Sequence, residues 1–274
     1  MDTVSVIIPT WNRASILKKA MDSVLNQTIP VTELFICDDG STDNTRDVVL
    51  SYKDDRIKYI DCGRNGHPSI PRNFGITQST GEWLALLDSD DVWHPEKLKK
   101  QLTLLKGTGG KACCTNANRI SPQGINQGLL IDYKKPKMTL DDLLTTNFVV
   151  CSSMLFHRTL LEKIGGFPEQ PNMKGVEDYA LWLRIASLQP IEYLNEPLVN
   201  YSDDANNSVR GEVTSNVYLQ RMVLLKDYAG WAGASAAQIK KAKRLMRMSG
   251  VLYIASRTKG EMKRIIRKNM GIEK

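Results

Sequence analysis

Long apolar runs are absent from this 274-residue chain. No stretch reaches the roughly 18 uninterrupted apolar residues of a membrane-spanning helix. Nothing ahead of Val4–Ile8 has the basic and apolar segments of a secretory signal, so none is expected. Histidine is scarce: His67, His94 and His157 are the only three, and without ligand spacing each reads as structural. The five cysteines, Cys37, Cys62, Cys113, Cys114 and Cys151, contain no C-x-x-C pair. That odd count argues against a zinc site or a disulfide framework and fits a reducing cytoplasm. Most of them lie in apolar runs and are expected to act as small core residues. No G-x-G-x-x-G follows the first apolar run, which argues against a dinucleotide oxidoreductase. Internal repeats and low-complexity segments are also missing.

What is present is a globular composition, 42% apolar, with an uneven charge of +7. From Lys240 to Lys274 there are twelve Lys and Arg against two acids, so the body is nearly neutral and the tail strongly basic. Such a tail reads either as a solvated helix face or as a surface for anionic lipid or nucleic acid. The first hundred residues alternate strand and helix patterns. Strands are expected over 4–9, 33–37, 56–62 and 82–87, and helices over 15–26, 42–52, 70–79 and from Pro95 to about Leu105. Further on, 111–116 and 149–156 read as strands and 191–201 as extended. Residues 160–164 and 176–187 read as helices, as does most of the chain from about 212. Ile239, Ala242, Leu245 and Met246, with 251–254, form the apolar side expected for the basic helix. The β-α-β-α order predicts an α/β fold with a mostly parallel sheet covered on both faces. The reading divides the chain into residues 1–210 and a helical, basic extension, 211–274.

The polar motifs fall at strand ends, where open α/β sheets bind ligands. Pro9–Asn12, Asp38–Ser41 and Asp88–Asp91 are therefore expected to converge. Asp88, Asp90 and Asp91 place three carboxylates within four residues after an apolar strand. They repel one another, and a divalent cation such as Mg²⁺ or Mn²⁺ would resolve the conflict. The bland alternative is a solvated acidic turn ahead of the Pro95 helix. In Asp38-Asp39-Gly40-Ser41-Thr42-Asp43, one carboxylate can accept a base imide N–H or ribose hydroxyls, or the stretch is simply an Asx-type turn. Arg72, in Pro71-Arg72-Asn73-Phe74-Gly75, can grip a diphosphate bidentately or be an ordinary exposed helix arginine. Glu177-Asp178 opens a helix, where the macrodipole alone favours acids. A general base is the functional alternative.

Taken in order, these motifs resemble those of the family 2 glycosyltransferases of the GT-A fold. The resemblance rests on Val4–Arg13, Asp38–Asp43, Leu87–Asp91 and Glu177–Arg184, with Gly165-Gly166-Phe167 between the last two, and spans residues 3–205. It implies a GT-A nucleotide-binding domain that uses a nucleotide-diphospho-sugar, UDP-linked by default, and inverts the sugar's anomeric centre. Pro9, Thr10, Asn12 and Asp38 would line the nucleotide pocket, and Asp39 would meet the base. Arg72 would lie near the diphosphate, and Asp88-Ser89 at the ribose. Asp90 with Asp91 would hold Mn²⁺ or Mg²⁺, and Asp178 would be the general base. Residues 200–208 would close over the donor, although Tyr201-Ser202 stands where many members have Tyr-Arg. A saccharide or lipid-linked saccharide acceptor is implied, in cell-surface polysaccharide or lipopolysaccharide assembly. The enzyme would then sit in the cytoplasm with the tail touching the inner face of the membrane.

Two rival readings remain. Asp88-Ser89-Asp90-Asp91-Val92 meets the D-x-D-x-T/V pattern of haloacid-dehalogenase-like phosphatases, with Asp88 as nucleophile. That motif belongs on the opening strand of its domain, however, and here it follows the fourth. A nucleic-acid binder acting through the tail would lack interleaved aromatics and any DNA-binding motif.

Overall fold

The structure is a computed structural model that describes residues 2–204 and 216–269, with side chains described to Ser256. Strand and helix alternate at first: β1 (Val4–Thr10), α1 (Leu17–Leu25), β2 (Glu33–Asp38), α2 (Thr45–Leu50), β3 (Ile57–Asp61), α3 (Ser69–Gln78) and β4 (Trp83–Leu86). Then come β5 (Val92–Trp93), α4 (Lys97–Thr108), β6 (Ala112–Ile120), β7 (Asn126–Leu129), β8 (Lys137–Met138) and α5 (Leu140–Leu143). A 3₁₀ turn at Cys151–Ser153 leads into β9 (Leu155–His157), α6 (Leu161–Ile164), α7 (Glu177–Leu188) and β10 (Ile191–Ser202). Two helices close the described chain, α8 (Val217–Gly230) and α9 (Ala236–Asn269).

The strands form one sheet in the order β3-β2-β1-β4-β9-β6-β10-β5, with β7 beside β6 and β8 beside β10. The β3-β2-β1-β4 half is parallel, as the alternating pattern predicts. The other half is mixed: β9 runs antiparallel to both β4 and β6, whereas β10 is parallel to β6. The expected strand over 149–156 is shorter than its apolar run suggests, because residues 151–153 coil into the 3₁₀ turn that carries Ser152 under the site.

Period-two burial explains the two cores. Ile7, Phe35, Cys37, Leu84 and Leu86 point to one face, where α7 and α8 pack. Val6, Ile8, Leu34, Ile36, Ala85 and Leu87 point to the other, against α1 and α4. Parallel strands covered on both faces read as continuous apolar runs, as these do. All five cysteines are free thiols, and all but Cys62 are buried.

The C-terminal helices join the first core. Leu224, Leu225 and Tyr228 of α8 are buried there. Arg184 of α7 donates to Asp227 at 2.8 Å, and the Ser187 and Tyr228 hydroxyls meet at 2.5 Å. α9 packs back on α8 through Ala242 and Ser249, with Leu245 and Met246 half-buried. Val251, Leu252 and Ile254 were expected on that same side but are exposed, Val251 and Ile254 because the helical phase turns them outward.

α3 lies close to the sheet because Gly75 allows it. A Cβ there would sit 2.7 Å from Cys37 Sγ and 2.8 Å from Ile7 Cγ2. Gly75→Ala should therefore overpack this contact and cost about 1–3 kcal/mol, read as a lower urea midpoint with an unchanged slope.

Candidate active site

The carboxyl ends of β1, β2 and β4 open into a cleft of about 1000 Å³, walled on its far side by the start of α7. Its first loops are clamped by Asn12, which adopts φ 51°, the only positive φ of a non-glycine among the described residues. The Asn12 side-chain oxygen accepts the Thr42 N–H at 2.8 Å and the Asp43 N–H at 3.3 Å, and its own N–H donates to Ser41 Oγ at 2.8 Å. Asn tolerates the left-handed region better than most residues, which makes it suitable for this corner.

The neighbours Asp38 and Asp39 have different surroundings. Asp38 Oδ1 accepts the Ser41 N–H at 2.9 Å and the Ser41 hydroxyl at 2.6 Å, while Oδ2 accepts the Tyr59 hydroxyl at 2.8 Å. Asp38 holds the turn and does not line the cleft, so the structure gives it no ligand-facing oxygen. Asp39 does line the cleft. It accepts the Asn65 N–H at 2.8 Å, the Gly66 N–H at 2.9 Å and an Arg64 N–H. Pro9 and Thr10 line the same end. The buried Thr10 hydroxyl finds no partner among the described residues. An orphaned polar atom in a cleft wall is what a polar ligand would satisfy.

The acidic turn after β4 divides similarly. Asp91 is only 1% exposed, and both its oxygens are occupied: Ser152 Oγ donates at 2.5 Å and the Ser202 N–H at 2.8 Å. Burial, reinforced by Asp90 and Asp88, raises its pKa well above the carboxylate range. The expectation that Asp91 helps hold a metal is therefore corrected: it fastens the turn to β10 and to the 3₁₀ turn. Asp88, Ser89 and Asp90 line the cleft, and Asp90 lies 3.8 Å from Arg13. Among the described residues no three His, Cys, Asp or Glu side chains gather as a metal cage. The donor set present, partly exposed carboxylates on one turn, still fits a hard cation that completes its shell from substrate phosphates and water.

Arg72 spans the cleft floor. It is buried, donating from Nη2 to Asp88 at 2.7 Å and from Nη1 to Glu177 at 3.0 Å. Only its Nε is left without a partner among the described residues. Glu177 also accepts the Gly175 N–H at 2.6 Å. Asp178, next in α7, opens on the cleft. Desolvation and the adjacent Glu177 charge push its pKa up to about 7, with Arg72 opposing. A carboxylate poised near neutrality in a cleft is a proton acceptor in waiting.

Residue reading alone did not anticipate Trp11, Arg64, His67 or Lys174, which also line the cleft. The signal available was position: Trp11 sits inside the first motif, and Arg64 and His67 lie in the glycine-rich stretch after β3. Tyr201 and Ser202 of the expected closing segment line the cleft too, while that segment beyond 204 lies outside the described residues.

A half-parallel α/β sheet with carboxylates at its strand ends and the start of a helix facing them is the architecture of the GT-A fold. Residues 5–165 match the model of Glycosyl transferase family 2. TuaG of Bacillus subtilis (strain 168), provisionally named a teichuronic acid biosynthesis glycosyltransferase, is 30% identical over 252 residues, covering 88% of this chain and 97% of TuaG. The Escherichia coli UDP-Glc:alpha-D-GlcNAc-diphosphoundecaprenol beta-1,3-glucosyltransferase WfgD is 33% identical over 193 residues, 70% of this chain and 73% of WfgD. The crystal structure of S. aureus TarS 1-349 in complex with UDP-GlcNAc superposes with a TM-score of 0.68 at 22% identity, covering 86% of this chain and 69% of that one. The chain belongs to glycosyl transferase family 2 and is a glycosyltransferase. The phosphatase and nucleic-acid-binder readings are thereby set aside.

The split within the acidic turn separates two substitutions. Asp90→Ala should leave the melting temperature nearly unchanged and abolish the Mn²⁺ dependence of nucleotide binding. Asp91→Ala should lower the melting temperature, because it strands Ser152 and the Ser202 amide. Thermal melts with and without Mn²⁺, alongside UDP titrations, read both.

Proposed function

We propose that the enzyme transfers a sugar from a UDP-sugar to a hydroxyl of a saccharide or lipid-linked saccharide, inverting the anomeric centre in a single displacement. The observation that carries this reading is the Asp88–Arg72–Glu177 bridge. It ties the strand-end turn on the nucleotide side to the helix that presents Asp178. Asp178 takes the proton from the acceptor hydroxyl, whose oxygen forms a bond to the anomeric carbon from the opposite face. The bond to the diphosphate breaks, and the nucleoside diphosphate leaves with its electron pair. Pro9, Thr10 and Asp39 contact the nucleoside, Asp88 and Ser89 the ribose, and Asp90 holds Mn²⁺ or Mg²⁺. A bound cation would offset charge on the departing diphosphate. Arg72 acts from beneath as the positioning residue that keeps Asp88 and Glu177 in register, rather than as an open phosphate grip. The chemistry named for TuaG and WfgD supports polysaccharide assembly on a lipid-linked acceptor as the setting.

A screen of UDP-sugars against lipid-linked diphosphate saccharides, scored by UDP release with and without Mn²⁺, tests the reading. Asp178→Asn should keep UDP affinity and lose turnover by roughly a hundredfold or more. The base works only when ionised, so wild-type kcat should fall as pH drops through about 7, the value that burial gives Asp178. Retained turnover in the Asn variant, or a profile flat from pH 6 to 8, would reject the assignment.

We further infer that α9 brings the enzyme to the inner face of an anionic membrane. The outward face of this helix carries Lys240, Lys243, Arg244 and Arg247, followed by the exposed apolar residues Met248, Val251, Leu252 and Ile254. Among the described residues no helix is long and apolar enough to cross a membrane. Each basic residue near such a surface contributes about 1 kcal/mol, and the apolar group can enter the headgroup boundary. Vesicles with 30% anionic lipid should sediment the wild type at low salt but not a Val251→Glu/Ile254→Glu variant. Equal sedimentation of the two would reject the contact.

A further inference from the structure

Asp39 and Trp11 form the nucleoside end of the cleft, and one side chain of the protein already lies between them. Arg64 leaves the loop after β3 with its guanidinium carbon 3.9 Å from the centroid of the Trp11 ring. Its Nη1 donates to Asp39 Oδ2. A planar group on an indole face, with an N–H directed at a carboxylate, is also how a uracil-type base would be held. The same ring and the same oxygen cannot serve both.

We propose that Arg64 is an internal competitor of the nucleobase: it fills the Trp11–Asp39 subsite of the empty enzyme, and a donor binds only by exchanging with it. The inference rests on the reading of this cleft as a nucleoside-diphosphate site. The geometry makes the exchange local. Asp39 keeps its two amide donors, Asn65 N–H and Gly66 N–H, when Arg64 departs, so the carboxylate stays oriented. The Arg64 backbone packs closely on Gly40, where a Cβ would lie 2.7 Å from the Arg64 nitrogen. The Arg64 side chain is 44% exposed, so the guanidinium borders solvent. The exchange needs only a rotation of this one side chain. In the empty state it stacks against the exposed Trp11 and pairs the cleft-lining Asp39. It also discounts every base-bearing ligand by one common factor, the fraction of enzyme in which the subsite is open.

A common factor is measurable. Arg64→Ala should bind UDP and CDP more tightly by the same ratio, about threefold to thirtyfold, the range expected for a cation stacked on an aromatic ring. Ribose 5-phosphate leaves the base subsite empty, and its affinity should be unchanged. Titrations belong at 0.15 M salt, where long-range attraction between Arg64 and the diphosphate is screened. Added guanidinium chloride at tens of millimolar should refill the subsite and lower the UDP affinity of Arg64→Ala toward the wild-type value, an effect that a merely structural staple would not give. Arg64→Met, which keeps the stem and loses the charge, should follow Arg64→Ala and guards against a folding defect in either variant. Weaker UDP binding by Arg64→Ala, or unequal factors for UDP and CDP, would make Arg64 a contact of the bound nucleotide and overturn the proposal. Absence of UDP binding in wild type and variant alike would overturn the reading of the cleft itself, and this inference with it.

Discussion

A guanidinium buried between two carboxylates organises the molecule around its cleft. Arg72 is 5% exposed and joins Asp88, after β4, to Glu177, at the start of α7. These residues lie far apart in the sequence, and without the cation two acids would face each other across a poorly solvated floor. Breaking a buried ion pair by removing one partner is far more damaging than never having built it. The triad therefore couples folding of the parallel half of the sheet to docking of α7. Gly75 lets α3 lie against β1 and β2, setting the depth at which Arg72 sits. Gly175 and its amide then orient the other Glu177 oxygen.

Adjacent acids divide the work. In Asp38-Asp39 and in Asp90-Asp91, one member of each pair is held away from the cleft and the other lines it, Asp39 while also accepting from the loop after β3. Asp90 and Asp91 lie in the turn after β4, closed by the Asp91 N–H to the Asp88 carbonyl at 3.1 Å, so neighbouring side chains there leave the backbone in different directions. The inward member fixes the turn that aims the outward one. Ser152 illustrates the coupling: its hydroxyl accepts the Asp88 N–H at 3.0 Å and donates to Asp91, stitching both ends of the acidic turn to the 3₁₀ turn beneath.

The alternation of strands and helices over the first hundred residues was legible, because apolar runs of strand length and 3.6-period stripes are local signals. So was the convergence of Pro9, Asp39 and Asp88 at one edge, which follows from chain topology. The reversed entry of β9 was not legible, since strand direction depends on partners far away in sequence. Nor was the inward turn of Asp38 and Asp91, because Tyr59, Ser152 and Ser202 are what capture them. Arg72 reads from sequence as a diphosphate ligand or an exposed helix arginine, and its residue type fits a buried tie equally well. Only the positions of Asp88 and Glu177 distinguish these.

The raised pKa of Asp178 and the anchoring of Glu177 are two sides of one arrangement. Both acids occupy the first turn of α7, where unsatisfied amides and the helix dipole favour negative charge. Arg72 and the Gly175 amide hold the Glu177 carboxylate in place, and desolvation of the wall together with that neighbour makes ionisation of Asp178 harder. Arg72 thus acts on Asp178 in two opposing ways. Directly it lowers the pKa, and indirectly it holds in place the carboxylate that raises it. Direct attraction and neighbouring repulsion partly cancel, so the desolvation of Asp178 keeps control of its pKa. An acceptor that fills the cleft and expels further water would strengthen that desolvation, making Asp178 more basic at the moment a hydroxyl proton must be taken.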